Sequence, residues 1–299
     1  MDQKTQPKKI GLVAGWGQFP VRVAKNLIEQ GHEVHCVAIK GHADPLLADL
    51  CHSYRVFGMG RMGAQVRFLR RAGVGQATMA GKIFKTLLFK KRRDLLWHLP
   101  DLTCVRHFYP VFISRTTDQR DDTLLNMVVD LYSGKGINFA PPTDFAPELL
   151  VKEGTLTRTS PSSSQMRDIK FGWAMAKQMG GLDIGQTVVV KDQAVMAVEA
   201  IEGTDECIRR AGGLCHGGFT VVKVAKPNQD MRFDVPTVGV GTIETISKAG
   251  GKILAIEAEQ TIVLDEEATI KMAEKLGISI VALKGEQDFS SLGLEARTA

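Results

Sequence analysis

The sequence predicts an α/β protein of two domains, and three observations carry the prediction. Short apolar strands alternate with amphipathic helices between Ile10 and Tyr132. A stretch rich in proline and serine interrupts that pattern at Asn138–Ser164. A second series of apolar strands, one pair of them a hairpin, then follows. At 299 residues the chain is long for one core and comfortable for two.

Ile10–Ala14 reads as a short buried strand, followed by the loop Gly15-Trp16-Gly17-Gln18-Phe19. Pro20 suits the first turn of a helix, where its missing N–H costs nothing. Val21, Ala24, Leu27 and Ile28 share one face of that helix and Gly31 ends it. "EVHCVAI" (Glu33–Ile39) is the next strand, and "YRVFG", "MGAQVRFLRRAG" and "ATMAGKI" add strand, helix and strand. A helix from about Asp122 to Tyr132 closes this half. Successive β-α-β units argue for a parallel sheet with helices on both faces, a Rossmann-like N-terminal domain over 1–140.

The four prolines and serine run of Asn138–Ser164 are boundary chemistry. Beyond them, a helix near Gln165–Met179 places Ile169, Trp173, Ala176 and Met179 on one side. Gln186–Ala200 reads as a hairpin turning at Lys191-Asp192-Gln193. "ECIRRAG" begins a helix, and "GFTVVKVAK", "GKILAIEAE" and "ISIVAL" are further strands. The helix "EEATIKMAEKLG" is expected to be capped by Asp265. Residues 141–299 are therefore expected to form an α/β domain with a mixed sheet.

Apolar residues at 44% and charged residues at 24% are ordinary for a soluble globular protein. The formal net charge is +5, and Lys82–Asp94 ("KIFKTLLFKKRRD"), with six bases and one acid, carries +5 by itself. Its bases are interleaved with Ile83, Phe84, Leu87, Leu88 and Phe89. That pattern suits either a solvated helix face or contact with an anionic membrane surface or acidic ligand. Nucleic acid is disfavoured, because the excess is local and only three Tyr and three Trp offer stacking platforms. Five scattered cysteines without a Cys-x-x-Cys pair suit reduced thiols in a cytoplasm. No signal peptide and no run of 18 apolar residues is seen, so the expectation is a cytoplasmic, soluble protein.

Gly15-x-Gly17-x-x-Pro20 lies between a strand and a helix, where backbone N–H groups favour a phosphate or carboxylate. A dinucleotide fingerprint would place glycine at Pro20 and an acid after the second strand, which instead ends in Ile39-Lys40. Anion or nucleotide contact and a merely tight turn both remain open for Gly15 and Gly17. Gly58-x-Gly60-x-x-Gly63 also lacks a suitably placed acid and reads as structural. The histidines have no metal-ligand spacing, and neither a serine-hydrolase elbow nor a P-loop is present. In "AVEAIEGTDE" an apolar strand ends in Glu199, Glu202, Thr204 and Asp205 just before a helix. Either Thr204 or Asp205 caps that helix, or the group faces a cleft beside phosphate-binding donors.

The stretch "KVAKPNQDMRFDVPTVG" is denser still. Asp234 is held extended by the following Val235-Pro236, and Lys223, Lys226 and Arg232 lie within eleven residues of it. Phosphoryl transfer uses this set: cations for the developing charge, and a carboxylate to hold Mg²⁺ or orient water.

"GLVAGWGQFPVRVA", "RDDTLLNMV" (Arg120–Val128), "GLDIGQTVVV" (Gly181–Val190), "AVEAIEGTDECIRR" and "KPNQDMRFDVPTVG" occur in that order. Together they resemble the UDP-2,3-diacylglucosamine pyrophosphatases of the LpxI type, enzymes of lipid A biosynthesis, over nearly the whole chain. The resemblance implies two domains with the lipid product between them. It also implies Mg²⁺-dependent hydrolysis of the diphosphate to UMP and 2,3-diacylglucosamine 1-phosphate, with water attacking the sugar-side phosphorus. The family's essential aspartate falls on Asp234 of Asp234-Val235-Pro236-Thr237-Val238-Gly239, as catalytic residue and metal ligand, with Asp230 the weaker candidate. Lys223 and Lys226 are the cation candidates, and Gly15, Gly17, Gln186, Thr204 and Asp205 the other expected contacts to sugar, nucleotide or phosphate. Lys85–Gln119 is more basic and aromatic than the family pattern. A homodimer and a peripheral contact with the inner membrane are carried as expectations. The rival readings are a non-catalytic carrier of acylated sugar phosphate and a nicotinamide-dependent oxidoreductase.

Overall fold

In the computed structural model, residues 8–83, 97–112 and 121–285 are described, and they divide into two compact units. The first comprises residues up to Pro147 together with Asp230–Phe233. The second comprises Glu148–Gln229 and the chain from Asp234 onward. The basic run from residue 84, most of Lys85–Gln119 and the tail from residue 286 lie outside the described residues.

The first unit is built on five parallel strands in the order β3-β2-β1-β4-β5: β1 (Lys9–Ala14), β2 (Glu33–Ile39), β3 (Ser53–Phe57), β4 (Gln76–Ala80) and β5 (Asn138–Phe139). That is the Rossmann-like order the β-α-β alternation predicts. Helix α1 (Phe19–Glu29) joins β1 to β2 and buries Val21, Ala24 and Leu27, while Ile28 emerges 38% exposed at the margin of the stripe. The longer helices that follow are α2 (Met62–Arg71), α3 (Leu102–Phe112) and α4 (Asp121–Ser133). Tyr132 is fully buried, and its hydroxyl donates to Gln65 Oε1 while Gln65 Nε2 donates to the Gly58 carbonyl, 2.9 Å away. Packing explains the second glycine motif. A Cβ on Gly58 would lie 1.8 Å from the Trp97 carbonyl oxygen, and one on Gly60 2.5 Å from that of His98.

Residues 230–233 belong to this unit for visible reasons. The Arg232 side chain reaches Asn126 Oδ1 at 2.9 Å, and Phe233 packs against the apolar core. Both Asp230 carboxylate oxygens accept from Arg232, at 2.9 Å from Nε and 2.5 Å from Nη2. Burial works against the Asp230 charge, but the Arg232 side chain, its backbone N–H and its charge outweigh that and hold the carboxyl below its ordinary 3.8. A depressed folded-state value means that the stabilisation is complete above 3.8 and fades as pH falls through the lowered value. The difference in thermal midpoint between wild type and Asp230→Asn is therefore expected to be widest near neutrality and to narrow as the pH falls below 3.8. A gap unchanged across a melting series down to about pH 2 would remove the Asp230 charge from the account.

The second unit has a six-stranded mixed sheet in the order β6-β13-β11-β9-β7-β8. Its strands are β6 (Gly154–Thr155), β7 (Thr187–Lys191), β8 (Ala194–Val198), β9 (Thr220–Lys223), β11 (Ile253–Glu257) and β13 (Ser279–Leu283). β9, β11 and β13 run parallel, whereas β7 and β6 pair antiparallel to their neighbours. Period-2 alternation divides the side chains between two cores. Val188, Val190, Val222, Ile253, Ala255 and Val281 meet Ile169, Trp173 and Ala176 of α5 (Ser163–Gly181). Val189, Val221, Leu254, Ile256 and Ile280 meet Ile208, Ile243, Ile246 and Ala273. Those four lie on α6 (Thr204–Leu214), α7 (Val240–Ala249) and α8 (Glu266–Leu276). Burying about ten such side chains, at ~1.5–3 kcal/mol each, makes this sandwich the main source of the unit's stability. Two-stranded β10 (Thr237–Val238) and β12 (Ile262–Val263) lie apart from the large sheet.

The hairpin turns where the sequence places it: Asp192 and Gln193 both have positive φ, and their N–H groups donate to the buried Asp168 carboxylate at 3.1 and 2.7 Å. The expected cap of α8 differs. Asp265 occupies the position before that helix with φ 45°, but its side chain makes no capping hydrogen bond, and its carbonyl accepts the Thr269 N–H instead.

Candidate active site

In the second unit, chemistry-bearing side chains collect at the carboxyl ends of the parallel strands β9 and β11. Open α/β sheets characteristically bind ligands at that edge. Register brings Thr187 opposite Lys223 and Lys223 opposite Ile256, and the hairpin returns Glu199 to the same edge. Lys223 Nζ donates to Thr204 Oγ1 at 2.7 Å, and Thr204 Oγ1 donates to Glu199 Oε1 at 2.8 Å. Lys223 is 5% exposed and Glu199 8%, so the two charges are held inside the protein through one hydroxyl. Such a network is stable only when its members are satisfied.

Local backbone sets this up. Gly203, with φ 84°, takes the N-cap position of α6, a conformation that glycine adopts freely. Neither alternative for the cap therefore applies: Thr204 is the first helical residue, and its hydroxyl is turned to Lys223 and Glu199. Arg210 anchors the preceding loop through the Val198 carbonyl and Glu202, both at 2.6 Å. Gly185 lets the two loops approach, since a Cβ there would lie 2.2 Å from the Glu199 carbonyl oxygen.

A second group lies on the stretch after β9. Lys226 Nζ donates to Asp183 Oδ1 at 2.6 Å and lies 3.7 Å from Asp234 Oδ2. Gln229 Nε2 donates to both the carboxylate and the carbonyl of Asp234. Lys177 Nζ, from α5, donates to both Glu257 oxygens at 2.8 and 2.7 Å and to the Ala225 carbonyl at 2.9 Å. Glu257 in turn accepts the Ala225 N–H at 2.7 Å, which fixes the backbone just before Lys226.

The charges of "KVAKPNQDMRFDVPTVG" thus go to three places: Lys223 to Thr204, Lys226 to Asp183 and Asp234, and Arg232 to Asp230 and Asn126. Asp230, the weaker candidate, is engaged with Arg232 in the first unit. Of the other expected residues, Gln186 lies beside the buried group. Its backbone N–H faces Glu199 at 3.4 Å and its carbonyl accepts from Val224, but its side-chain Oε1 is buried with no hydrogen-bond partner among the described residues. Asp205 is exposed on the first turn of α6, where its charge favours the helix N-terminus, and it is not drawn into the group.

Gly15 and Gly17 belong to the first unit, and backbone geometry accounts for both. Gly15 N–H donates to the Ala80 carbonyl at 2.8 Å, Trp16 pairs with Lys82, and a Cβ on Gly15 would lie 2.7 Å from the carbonyl oxygens of Gly81 and Lys82. Gly17 has φ 104°. Lys177, Asp183, Gln229 and Glu257 are site members that sequence reasoning missed. The available signal was an acid closing the buried strand "ILAIE" and a lysine on the apolar side of α5, between Trp173 and Gly180.

Four carboxylates (Glu199, Asp183, Asp234, Glu257) and three lysines (Lys177, Lys223, Lys226) meet at this edge, a formal balance of −1. Every lysine is already engaged. A diphosphate brought here needs positive charge beyond these lysines. No three His, Cys, Asp or Glu side chains converge as a metal cage among the described residues. Mg²⁺ does not require one, because it is commonly held by one or two carboxylates plus substrate phosphates and water. Asp183 and Asp234, gathered around Lys226, fit that mode.

Comparison with known proteins agrees with this division. The family model described as the LpxI N-terminal domain matches residues 9–149, and that of the LpxI C-terminal domain matches residues 152–281. The chain is 30% identical over 293 residues to the UDP-2,3-diacylglucosamine pyrophosphatase LpxI of Caulobacter vibrioides, covering 94% of this chain and 99% of that protein.

Proposed function

Because the chain belongs to the LpxI family, we propose that this enzyme hydrolyses the diphosphate of UDP-2,3-diacylglucosamine to UMP and 2,3-diacylglucosamine 1-phosphate, a reaction of lipid A biosynthesis, with Mg²⁺ as cofactor. The observation that carries the reading to particular residues is Lys226, held between Asp183 and Asp234 beside the buried Lys223–Thr204–Glu199 group.

Hydrolysis adds water across one P–O–P link, so the site must orient a water, hold the diphosphate and stabilise charge on the oxygens. Asp234 accepts a hydrogen bond from the attacking water and draws its proton, its own carboxylate held in place by Gln229. Lys226 offers a cation to the phosphoryl oxygens, and the Lys177–Glu257 pair holds the backbone that presents it. Lys223 and Thr204 present a second cation and a hydroxyl, and Gln186 an amide. Mg²⁺, bound through Asp234 and Asp183, would neutralise diphosphate charge that the engaged lysines leave unbalanced. Asp205, exposed on the first turn of α6, offers a carboxylate for sugar hydroxyls.

The test is release of UMP from UDP-2,3-diacylglucosamine by the purified protein with Mg²⁺ and with EDTA. Release with Mg²⁺ that EDTA abolishes is the expected result. Release that persists in EDTA would remove the metal. No release from folded, metal-supplied protein would overturn the hydrolase reading in favour of a carrier of acylated sugar phosphate.

A further inference from the structure

A second concentration of charge lies in the first unit and has no part in the site above. Residues 53–75 contain Arg55, Arg61, Arg67, Arg70 and Arg71 and no aspartate or glutamate. Three of the five line a cavity of about 230 Å³, together with Phe57, Ala64 and Phe68. The architecture explains the grouping. β3 is an edge strand of its sheet, and Arg55 and Phe57, two residues apart, share one of its faces. On α2, Ala64, Arg67, Phe68 and Arg71 are spaced by three and four, so they form one stripe. The Phe57 and Phe68 rings, 5.6 Å apart, make an apolar floor, and the Arg55 guanidinium lies 5.6 Å from the Phe57 ring centre. Ala64, the smallest side chain of the stripe, leaves room above it.

Among the described residues no carboxylate is paired with Arg55, Arg67 or Arg71. The acid beside Ala64, Asp101, spends its two oxygens on the backbone N–H groups of Ala64 and Cys104, both at 3.0 Å. Three guanidinium groups around one cavity repel one another unless an anion joins them, and their planar forks match phosphate oxygens in pairs. We propose that this cavity is an oxyanion site for a phosphate-bearing ligand, built from none of the residues of the diphosphate site and independent of its assignment. The ligand chemistry is a phosphate group with an apolar or planar portion against Phe57 and Phe68. A soluble phosphate compound and the headgroup of an anionic lipid share it.

Two double variants separate a built site from bulk charge. Arg67→Gln/Arg71→Gln empties the cavity rim, whereas Arg61→Gln/Arg70→Gln removes the same charge from the same segment outside the cavity. Both are exposed changes, and matching thermal melts establish folding. Arg55→Gln, on the strand instead of the helix, is the second cavity variant. In one arm, inorganic phosphate is titrated and the backbone amide signals of Arg55, Phe57 and Phe68, which belong to the cavity itself, are followed by NMR. In the other, retention on phosphatidylcholine vesicles is compared with retention on vesicles that also contain phosphatidylglycerol.

Saturable shifts that weaken about tenfold or more in the cavity variants but not in the charge-matched control identify a soluble phosphate ligand. Retention on phosphatidylglycerol vesicles that falls about tenfold in the cavity variants alone identifies a lipid headgroup. If cavity and control variants behave alike in both arms, the proposal is overturned. The arginines are then solvated charges that guard an open sheet edge.

Discussion

Asp234→Asn is expected to lower the rate of UMP release by roughly 10²–10⁴-fold, about 3–5 kcal/mol in barrier, with an unchanged melting curve. Asparagine keeps the size of the side chain and still offers an oxygen to Gln229 Nε2, so the contact that positions residue 234 survives. What disappears is the negative charge facing Lys226, and with it the ability to take a proton from water. A loss well beyond that range would add metal binding to the same carboxylate. Turnover at the wild-type rate would take Asp234 out of the mechanism. Steady-state kinetics at saturating and sub-saturating substrate distinguish these outcomes, because removal of a transition-state interaction lowers kcat and kcat/KM together.

The second large effect is on stability. Lys223→Met should cost about 3–5 kcal/mol in urea unfolding, because methionine fills the space but removes the cation that reaches the buried Glu199 carboxylate through the Thr204 hydroxyl. Thr204 Oγ1 also loses the donor at 2.7 Å. The double variant Lys223→Met/Glu199→Gln should recover a good part of the loss, since the orphaned charge is then gone. A single variant as stable as wild type would show that water reaches Glu199 and that the network is not closed. Failure of the double variant to recover would place the cost in packing around β9 instead of in electrostatics.

Local pattern made most of this fold legible. Strands at Glu33–Ile39 and Ser279–Leu283, the helix over Ser163–Gly181 and the turn at Asp192-Gln193 follow from apolar periodicity and a polar turn, both properties of neighbouring residues. The mixed sheet of the second unit was legible because a hairpin beside three further strands leaves few other arrangements. Caps were less so: Gly203 was passed over for the polar Thr204, because its value at φ 84° is conformational and carries no side-chain signal. Helix α3 has no local signature, because Pro110 inside "LTCVRHFYPVF" is a residue that ends helices more often than it continues them. Within the site, Asp234, Lys223, Lys226, Thr204 and Gln186 were visible as a dense charged stretch and as motif positions. Lys177 and Glu257 pair across 80 residues and Lys226 and Asp183 across 43, so their partnership exists only once the strands are aligned.

The inclusion of residues 230–233 in the first unit has a consequence for synthesis. The chain is made from its N-terminus, and Pro147 leaves the ribosome 86 residues ahead of Phe233 (233 − 147). At ~5–20 residues per second that interval is about 4–17 s. Throughout it the nascent first unit has a hydrophobic place without its phenylalanine, and Asn126 has no guanidinium to bind. Its last four residues arrive only after the first strands of the second unit, through β9, have been made. The two units are therefore not beads that can be cut at one peptide bond. A gene fragment ending at Pro147 encodes an unfinished first unit, and the complementary fragment carries the missing piece.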